Sequence, residues 1–337
     1  MFMAIFHNTP GLYLTPDAII PFWILGHCSL FTLVKIAPLH PNFSTYVKVH
    51  TRRRFEATLG KYLSDLAGFR DVMRTHGAVV SGSSALNIML GTSSWSSKDL
   101  DIYVRKGETV SITTFLLRDG YTCHRPRFRE PLQLLEPLVG YLSMLEDQHV
   151  RRILQFRKQT SDGTVLTIDI IESNTDSAIS PITEFHCTEV MNYISGDAIL
   201  CMYPILTGQG VAIMEDRHAK DKDTWVEKYT SRGFRVMESV TELRRPCGSA
   251  CPTAVRTLGD PESLYLNFDQ AESTTAPFPG TQDASDFGWP IVHWTLGQSR
   301  FVYGRLCPNP LCLRDTHDPL TIIWPEPFAR ITRDSSL

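Results

Sequence analysis

Asp99 and Asp101 stand two residues apart in Lys98-Asp99-Leu100-Asp101-Ile102-Tyr103-Val104, a run with the apolar spacing of a strand. Side chains two apart on a strand share a face. Carboxylates so placed repel, and each costs free energy unless water or a cation satisfies it. Mg2+ (or Mn2+), which takes oxygen ligands and substrate phosphates, is the natural counter-charge. Leu100, Ile102 and Val104 would point into the core and hold the strand. A third acid, Asp169, interrupts the apolar run Val165-Leu166-Thr167-Ile168-Asp169-Ile170-Ile171. Acids are depleted from strands, so this one must emerge at a polar site or be paired. Upstream, Val79-Val80-Ser81-Gly82-Ser83-Ser84 runs from an apolar strand into Gly-Ser and then a helix. That turn presents backbone N–H groups and hydroxyls at a helix N-terminus, a ready site for phosphate. Gly82 permits close approach of the backbone to a ligand. An exposed acidic pair without ligand is the plain alternative; the upstream turn and Asp169 together favour a site.

The elements that must position these residues follow from local pattern. A strand is expected over Ala78–Ser81, a helix over Ser83–Leu90, a strand over Leu100–Val104 and a helix over Ser111–Asp119. Val150–Lys158 and Thr164–Glu172 flank Asp162-Gly163, a strong hairpin signal. Leu14–Phe55 reads as short helices interrupted at Pro38 and Pro41, and Thr51–His76 as one amphipathic helix with Phe55, Leu59, Leu63, Leu66 and Phe69 on one face. The charged run Asp216–Asp223 opens a helix reaching about Ser231, which Arg232-Gly233 ends. On it Lys228 and Arg232 lie four apart and share a face; they could contact a triphosphate, or form a solvated face.

The pattern of Gly82-Ser83, Asp99-Leu100-Asp101 and Asp169 resembles the nucleotidyltransferase superfamily, which includes the DNA polymerase β-like, poly(A) polymerase-like and antibiotic-modifying enzymes. The resemblance implies an α/β (α+β) fold with a mixed sheet flanked by helices. It implies that Asp99, Asp101 and Asp169 form a metal-binding catalytic triad for two metal ions, with Asp169 helping to activate an attacking hydroxyl. Gly82 and Ser83, with Ser84 beside them, would hold the triphosphate of an NTP substrate, from which a nucleoside monophosphate passes to a hydroxyl of an unknown acceptor. The spacer between Ser83 and Asp99, residues 84–98, is slightly longer than the superfamily's common range; Gly91–Ser97 holds the extra residues, as a substrate loop or a tolerated insertion. A closer resemblance is to a large group of fungal proteins, mostly from mushroom-forming species, with no assigned reaction. It extends to Phe185–Ile194, Tyr203-Pro204, Thr207, Lys228–Phe234 and Arg256–Asp260.

At the N-terminus, Leu14–Ile20, Ile24-Leu25, Leu30–Val34 and Pro41–Phe43 resemble an F-box, with Leu-Thr-Pro-Asp where Leu-Pro-x-Glu is usual. That implies a non-catalytic adaptor recruiting the linker subunit of a ubiquitin ligase; a helical cap packed on the main domain fits the same residues. The expected organisation is a helical segment over 1–55, a nucleotidyltransferase-like domain over 56–242, and an irregular C-terminal extension over 243–337, with short strands at Arg300–Tyr303 and Thr321–Trp324 and a linker-like stretch at Ala271–Asp286. Ala18–Ala37 is apolar but carries His27 and Lys35, which favours a soluble helical segment over a membrane span.

The composition is that of a globular protein, and a net charge of −3 calls for no polyanion partner. His124, Arg125, Arg127 and Arg129 form a basic run on which three arginines would face one way. His186 and Asn192 are expected to make structural hydrogen bonds. The 8 cysteines and the absence of a secretory pattern suit a reduced, cytoplasmic or nuclear protein. Cys247-x3-Cys251 and Cys307-x4-Cys312 are either unrelated thiols, the default at such loose spacing, or a joint four-cysteine zinc site.

Overall fold

Apolar residues alternate along the strands, and this alternation sorts the core onto two sides of one sheet. The computed structural model describes residues 25–39, 41–92, 94–128, 149–214, 222–252, 254, 256–258, 262–268, 293–294, 296, 307 and 309–312. Among them the N-terminal helices are α1 (Leu30–Ile36), α2 (Pro41–Leu59) and α3 (Leu66–His76). β1 (Val79–Ser81), α4 (Gly82–Leu90), β2 (Leu100–Val104) and α5 (Thr109–Arg118) follow. Next come β3 (Thr122–Phe128), β4 (Val150–Gln159), β5 (Val165–Ser173), β6 (Asn192–Ile194) and β7 (Ala198–Cys201). The remainder is α6 (Pro204–Gly208), β8 (Val211–Ile213), α7 (Lys222–Ser231), β9 (Arg235–Met237), β10 (Arg256–Thr257), β11 (Leu264–Asn267) and β12 (His293–Trp294).

Eight strands form one mixed sheet in the order β11-β7-β6-β1-β2-β5-β4-β3. β2 and β5 pair in parallel, and the other neighbours in the sheet pair antiparallel. A parallel pair needs a crossover, here the segment holding α5 and the antiparallel pair β3 and β4. One face of the sheet carries Val80, Leu100, Ile102, Ile168, Ile170, Ile194 and Ile199 and is covered by helical residues such as Leu33, Phe55, Phe69 and Ile112. The other carries Val79, Tyr103, Ile153, Ile171, Tyr193 and Leu200, under Tyr229 of α7, Trp294 and Cys251. The expected elements over Ala78–Asp119 and Val150–Glu172 appear within two residues of their predicted bounds, and β3 adds a strand for which the sequence pattern sets no bounds; Gly163, at φ +86°, turns the β4–β5 hairpin.

The expected single helix over Thr51–His76 is two. Asp65 caps α3, its side chain accepting from the Gly68 N–H, and the chain turns between Gly60 and Ser64. Phe55, Leu59, Leu63 and Phe69 are nonetheless all buried. Pro41 opens α2 where a break is expected, consistent with its fitness for a first turn. α2 runs through residue 55. Leu30, Phe31 and Leu33 of α1 turn into the same core as α2 and α4. Leu14–Ile24, most of Asp216–Asp223, Ala271–Asp286, Arg300–Tyr303 and Thr321–Trp324 lie outside the described residues, as do the side chains of Arg125, Arg127 and Arg129. No helix among the described residues is long and apolar enough to cross a membrane.

Glu172, fully buried at the end of β5, ties this crossover together. Its carboxylate accepts from the Gly107 N–H at 2.7 Å and from Arg151 at 3.0 Å, and pairs with Arg152. Arg152 also donates to Thr109 at the start of α5. Arg151 and Arg152 are partly exposed, so loss of the buried carboxylate costs its charged hydrogen bonds, about 2 kcal/mol. Glu172→Ala is therefore expected to lower unfolding free energy in urea by about that amount; a loss below about 1 kcal/mol would mean that the cluster holds nothing in place.

Candidate active site

The strand register draws two of the three predicted acids, Asp101 and Asp169, into one row. Ser81 faces Asp101 across β1–β2, Asp101 faces Asp169 across β2–β5, and Asp169 faces Gln155 across β5–β4. These residues share the face of Tyr103, not that of Leu100 and Ile102. Asp99 sits one residue before β2 and is half-buried; Asp169 is buried. The Asp101 Oδ1 atom is sealed from solvent and has no hydrogen-bond partner. Burial, then Asp99, then Asp169 push the Asp101 carboxyl well above the usual carboxylate range, with Lys228 opposing them. The buried Tyr103 phenol rises for the same reasons, burial first and then Asp101, Asp169 and Asp99.

Asp101 packs on the turn that the Gly-Ser signal marks. Gly82 has φ +66°, and a Cβ there would meet Asp101 Oδ2 at 2.5 Å. Ser81 precedes α4 but does not cap it; its hydroxyl donates instead to the Asn192 carbonyl. The first N–H groups of a helix lack intrahelical partners, so those at the start of α4 stand beside the acids. Ser83 and Arg232, distant in sequence, meet: the Arg232 Nη1 donates to Ser83 Oγ at 2.9 Å. The Ser84 hydroxyl is already engaged, donating to Ser97 Oγ at 2.8 Å and to the Asp99 carbonyl at 3.1 Å. Ser84 thus seats Asp99 and offers a ligand only its backbone.

α7 supplies the opposite charge. It ends in a Schellman turn at Gly233, with the Phe234 N–H bonded to the Tyr229 carbonyl. That ending fixes Arg232, whose guanidinium lies 4.2 Å from the Trp95 ring centroid. Lys228 is exposed as a residue, but partial desolvation of its ammonium, and then Arg232, lower its pKa, while Asp101, Asp99 and Glu189 oppose that shift. His186 stacks on Trp225 at 3.8 Å and shares a 3.2 Å hydrogen bond with the Tyr229 hydroxyl, while Asn192 donates to the Glu189 carbonyl at 2.6 Å. Both keep the structural roles expected of them.

Sequence reasoning misses Glu189 as part of this site. It is fully buried in the turn Thr188–Val190, and neither carboxylate oxygen has an oxygen or nitrogen partner. Burial raises its carboxyl to about 7, against the Cys187 thiol, its own backbone N–H, Lys228 and Arg232. The signal was available: an acid inside the apolar stretch Phe185–Ile194, the mark that singles out Asp169.

A cavity of about 340 Å3 opens elsewhere, at the start of β1, lined by Arg74, Gly77, Arg105 and Asp197 among others. Its arginines are engaged, Arg74 by Asp197 and Asp71, Arg105 by the His76 carbonyl and Glu108. The acid row at the other end of β1 is the site with charge to satisfy. No protein-family model matches the chain, and no curated protein matches it.

Two outcomes follow. Gly82→Ala forces a side chain into left-handed backbone, costing about 1–2 kcal/mol, and drives Asp101 away. Urea unfolding should show that loss, and adding Asp101→Ala should recover the steric share; strict additivity would separate the two residues. Glu189, raised from 4.5 to about 7, favours the fold most when protonated. Stability should therefore fall as pH rises from 4.5 to about 7, by roughly 3 kcal/mol at most. Glu189→Gln should flatten that slope; an unchanged slope would place the titration elsewhere.

Proposed function

We propose that this chain is a metal-dependent nucleotidyltransferase-like protein that transfers a nucleoside monophosphate from an NTP to a hydroxyl of an acceptor. The observation that carries this reading is Asp101, opposite Asp169 and in contact with Gly82 at the start of α4, with Ser83 bound to Arg232 across the site. The acids suit Mg2+ (or Mn2+): their donors are hard oxygens, and Asp101 Oδ1 is buried without a hydrogen-bond partner. Asp101 and Asp169, with Asp99, would hold the ion. When bound, such an ion neutralises phosphate charge and stabilises attacking and leaving oxygens.

The chain's own residues supply the rest. The N–H groups of Gly82, Ser83 and Ser84, at an N-terminus with no side-chain cap, receive phosphate oxygens. Arg232 turns its guanidinium from Ser83 to the phosphates, and Lys228 adds a second positive charge. Asp169 accepts the proton of the acceptor hydroxyl.

The test is a thermal-shift titration with each nucleoside triphosphate, with and without Mg2+ or Mn2+. A ligand at about 100 times its Kd stabilises the fold by about 2.7 kcal/mol, so a metal-dependent shift is expected. It should vanish in Asp99→Ala, Asp101→Ala and weaken in Arg232→Ala. No shift with any triphosphate and either metal, or an equal shift in the double variant, would sink the reading.

A further inference from the structure

The cysteines give a second site, independent of the acid row. Cys247 and Cys251 flank the turn Gly248–Ala250, and Cys307 and Cys312 come from a segment about sixty residues further on. Their four Sγ atoms lie within 4.8 Å of one another. Cys247 and Cys307 are 3.5 Å apart and Cys251 and Cys312 3.6 Å apart. These separations are far beyond the roughly 2.05 Å of a disulfide. They are close to the ~3.8 Å edge of a tetrahedron with metal–sulfur bonds of about 2.3 Å. None of the four is in a disulfide.

The surroundings are built for the cluster. Asn309 is buried; its Nδ2 donates to Cys247 Sγ at 3.1 Å and to the Arg245 carbonyl at 2.8 Å. Its Oδ1 accepts from the Leu311 N–H, and its carbonyl from the Cys312 N–H. One side chain thus shapes the Cys307–Cys312 turn and supplies an N–H to a sulfur, as outer groups around metal ligands do. Cys247 and Cys251 are buried among Ala250, Ala254, Trp294 and Leu296, part of the core that also contains Tyr103 and Tyr229.

We propose that Cys247, Cys251, Cys307 and Cys312 bind a structural zinc ion that ties together two segments of the C-terminal extension, where the first of them packs on the face of the sheet bearing the acids. Four thiolates complete a tetrahedral shell and leave no position for substrate, so the site is structural. Binding displaces the thiol protons to solvent and involves no change of oxidation state. The β10–β12 ladder, Arg256 opposite Trp294, joins the two segments a second time.

The test is metal analysis of the full chain purified without added metal, with X-ray absorption at the zinc edge. The expected result is about one zinc per chain with four sulfurs at about 2.3 Å. Asp101→Asn should keep its zinc, which separates this site from the acid row. Cys247→Ser with Cys307→Ser should lose it, and Asn309→Ala should weaken zinc binding about tenfold or more. If the cysteine variant does not fold, Co2+ added to metal-stripped wild type reports the site through its thiolate charge-transfer and tetrahedral ligand-field bands. Wild type that takes up neither zinc nor cobalt, that carries iron instead, or whose mass shows two disulfides would overturn the assignment.

Discussion

Everything at the candidate site depends on the contact between the Asp101 carboxylate and the bare backbone of Gly82. A carboxylate can occupy that place only because the turn has no Cβ there. The turn takes its left-handed conformation because the chain must leave β1 and enter α4 without a spacer. The contact brings an acid to the N-terminus of a helix, where its charge is favoured. The same contact buries the acid beside two others, where its charge is disfavoured. On the proposed function, a cation in the row would settle that conflict without moving the backbone. The rest of the fold keeps the row in place. Leu100, Ile102, Ile168 and Ile170 anchor the opposite face of the same two strands, and Glu172 clamps the crossover between them.

What could be foreseen divides along a physical line. The β1–α4 turn, β2 and the β4–β5 hairpin are encoded by neighbours in sequence: Gly82 after two valines, alternating Asp and aliphatic residues, Asp162-Gly163 between apolar runs. Local chemistry decides such elements, so the two facing acids could be read in advance. β6, β7 and β11 are three or four residues long and exist by pairing with distant strands. No local period marks them. The break between α2 and α3 was missed because apolar spacing continues across it, while a single cap at Asp65 restarts the helix. The cysteines show the limit most plainly. Their spacings carry little information, and only the tertiary fold brings the two pairs together.

The long spacer before Asp99 is best understood as part of the site's frame. Asn87 of α4 donates to the carbonyls of Thr92 and Trp95, and Ser84 and the Tyr62 hydroxyl both bond to Ser97. Ser84 also reaches the Asp99 carbonyl. Thus α4, whose first residue contacts Asp101, also fixes the loop that delivers Asp99, and the two acids share one support. Trp95 extends that support to α7 by lying under Arg232, which itself bonds Ser83. The loop thereby couples the positive wall of the site to its negative floor. Displacing Arg232 from Ser83 frees the cation while Trp95 still holds its flat side, so the guanidinium can turn toward an anion without losing its position.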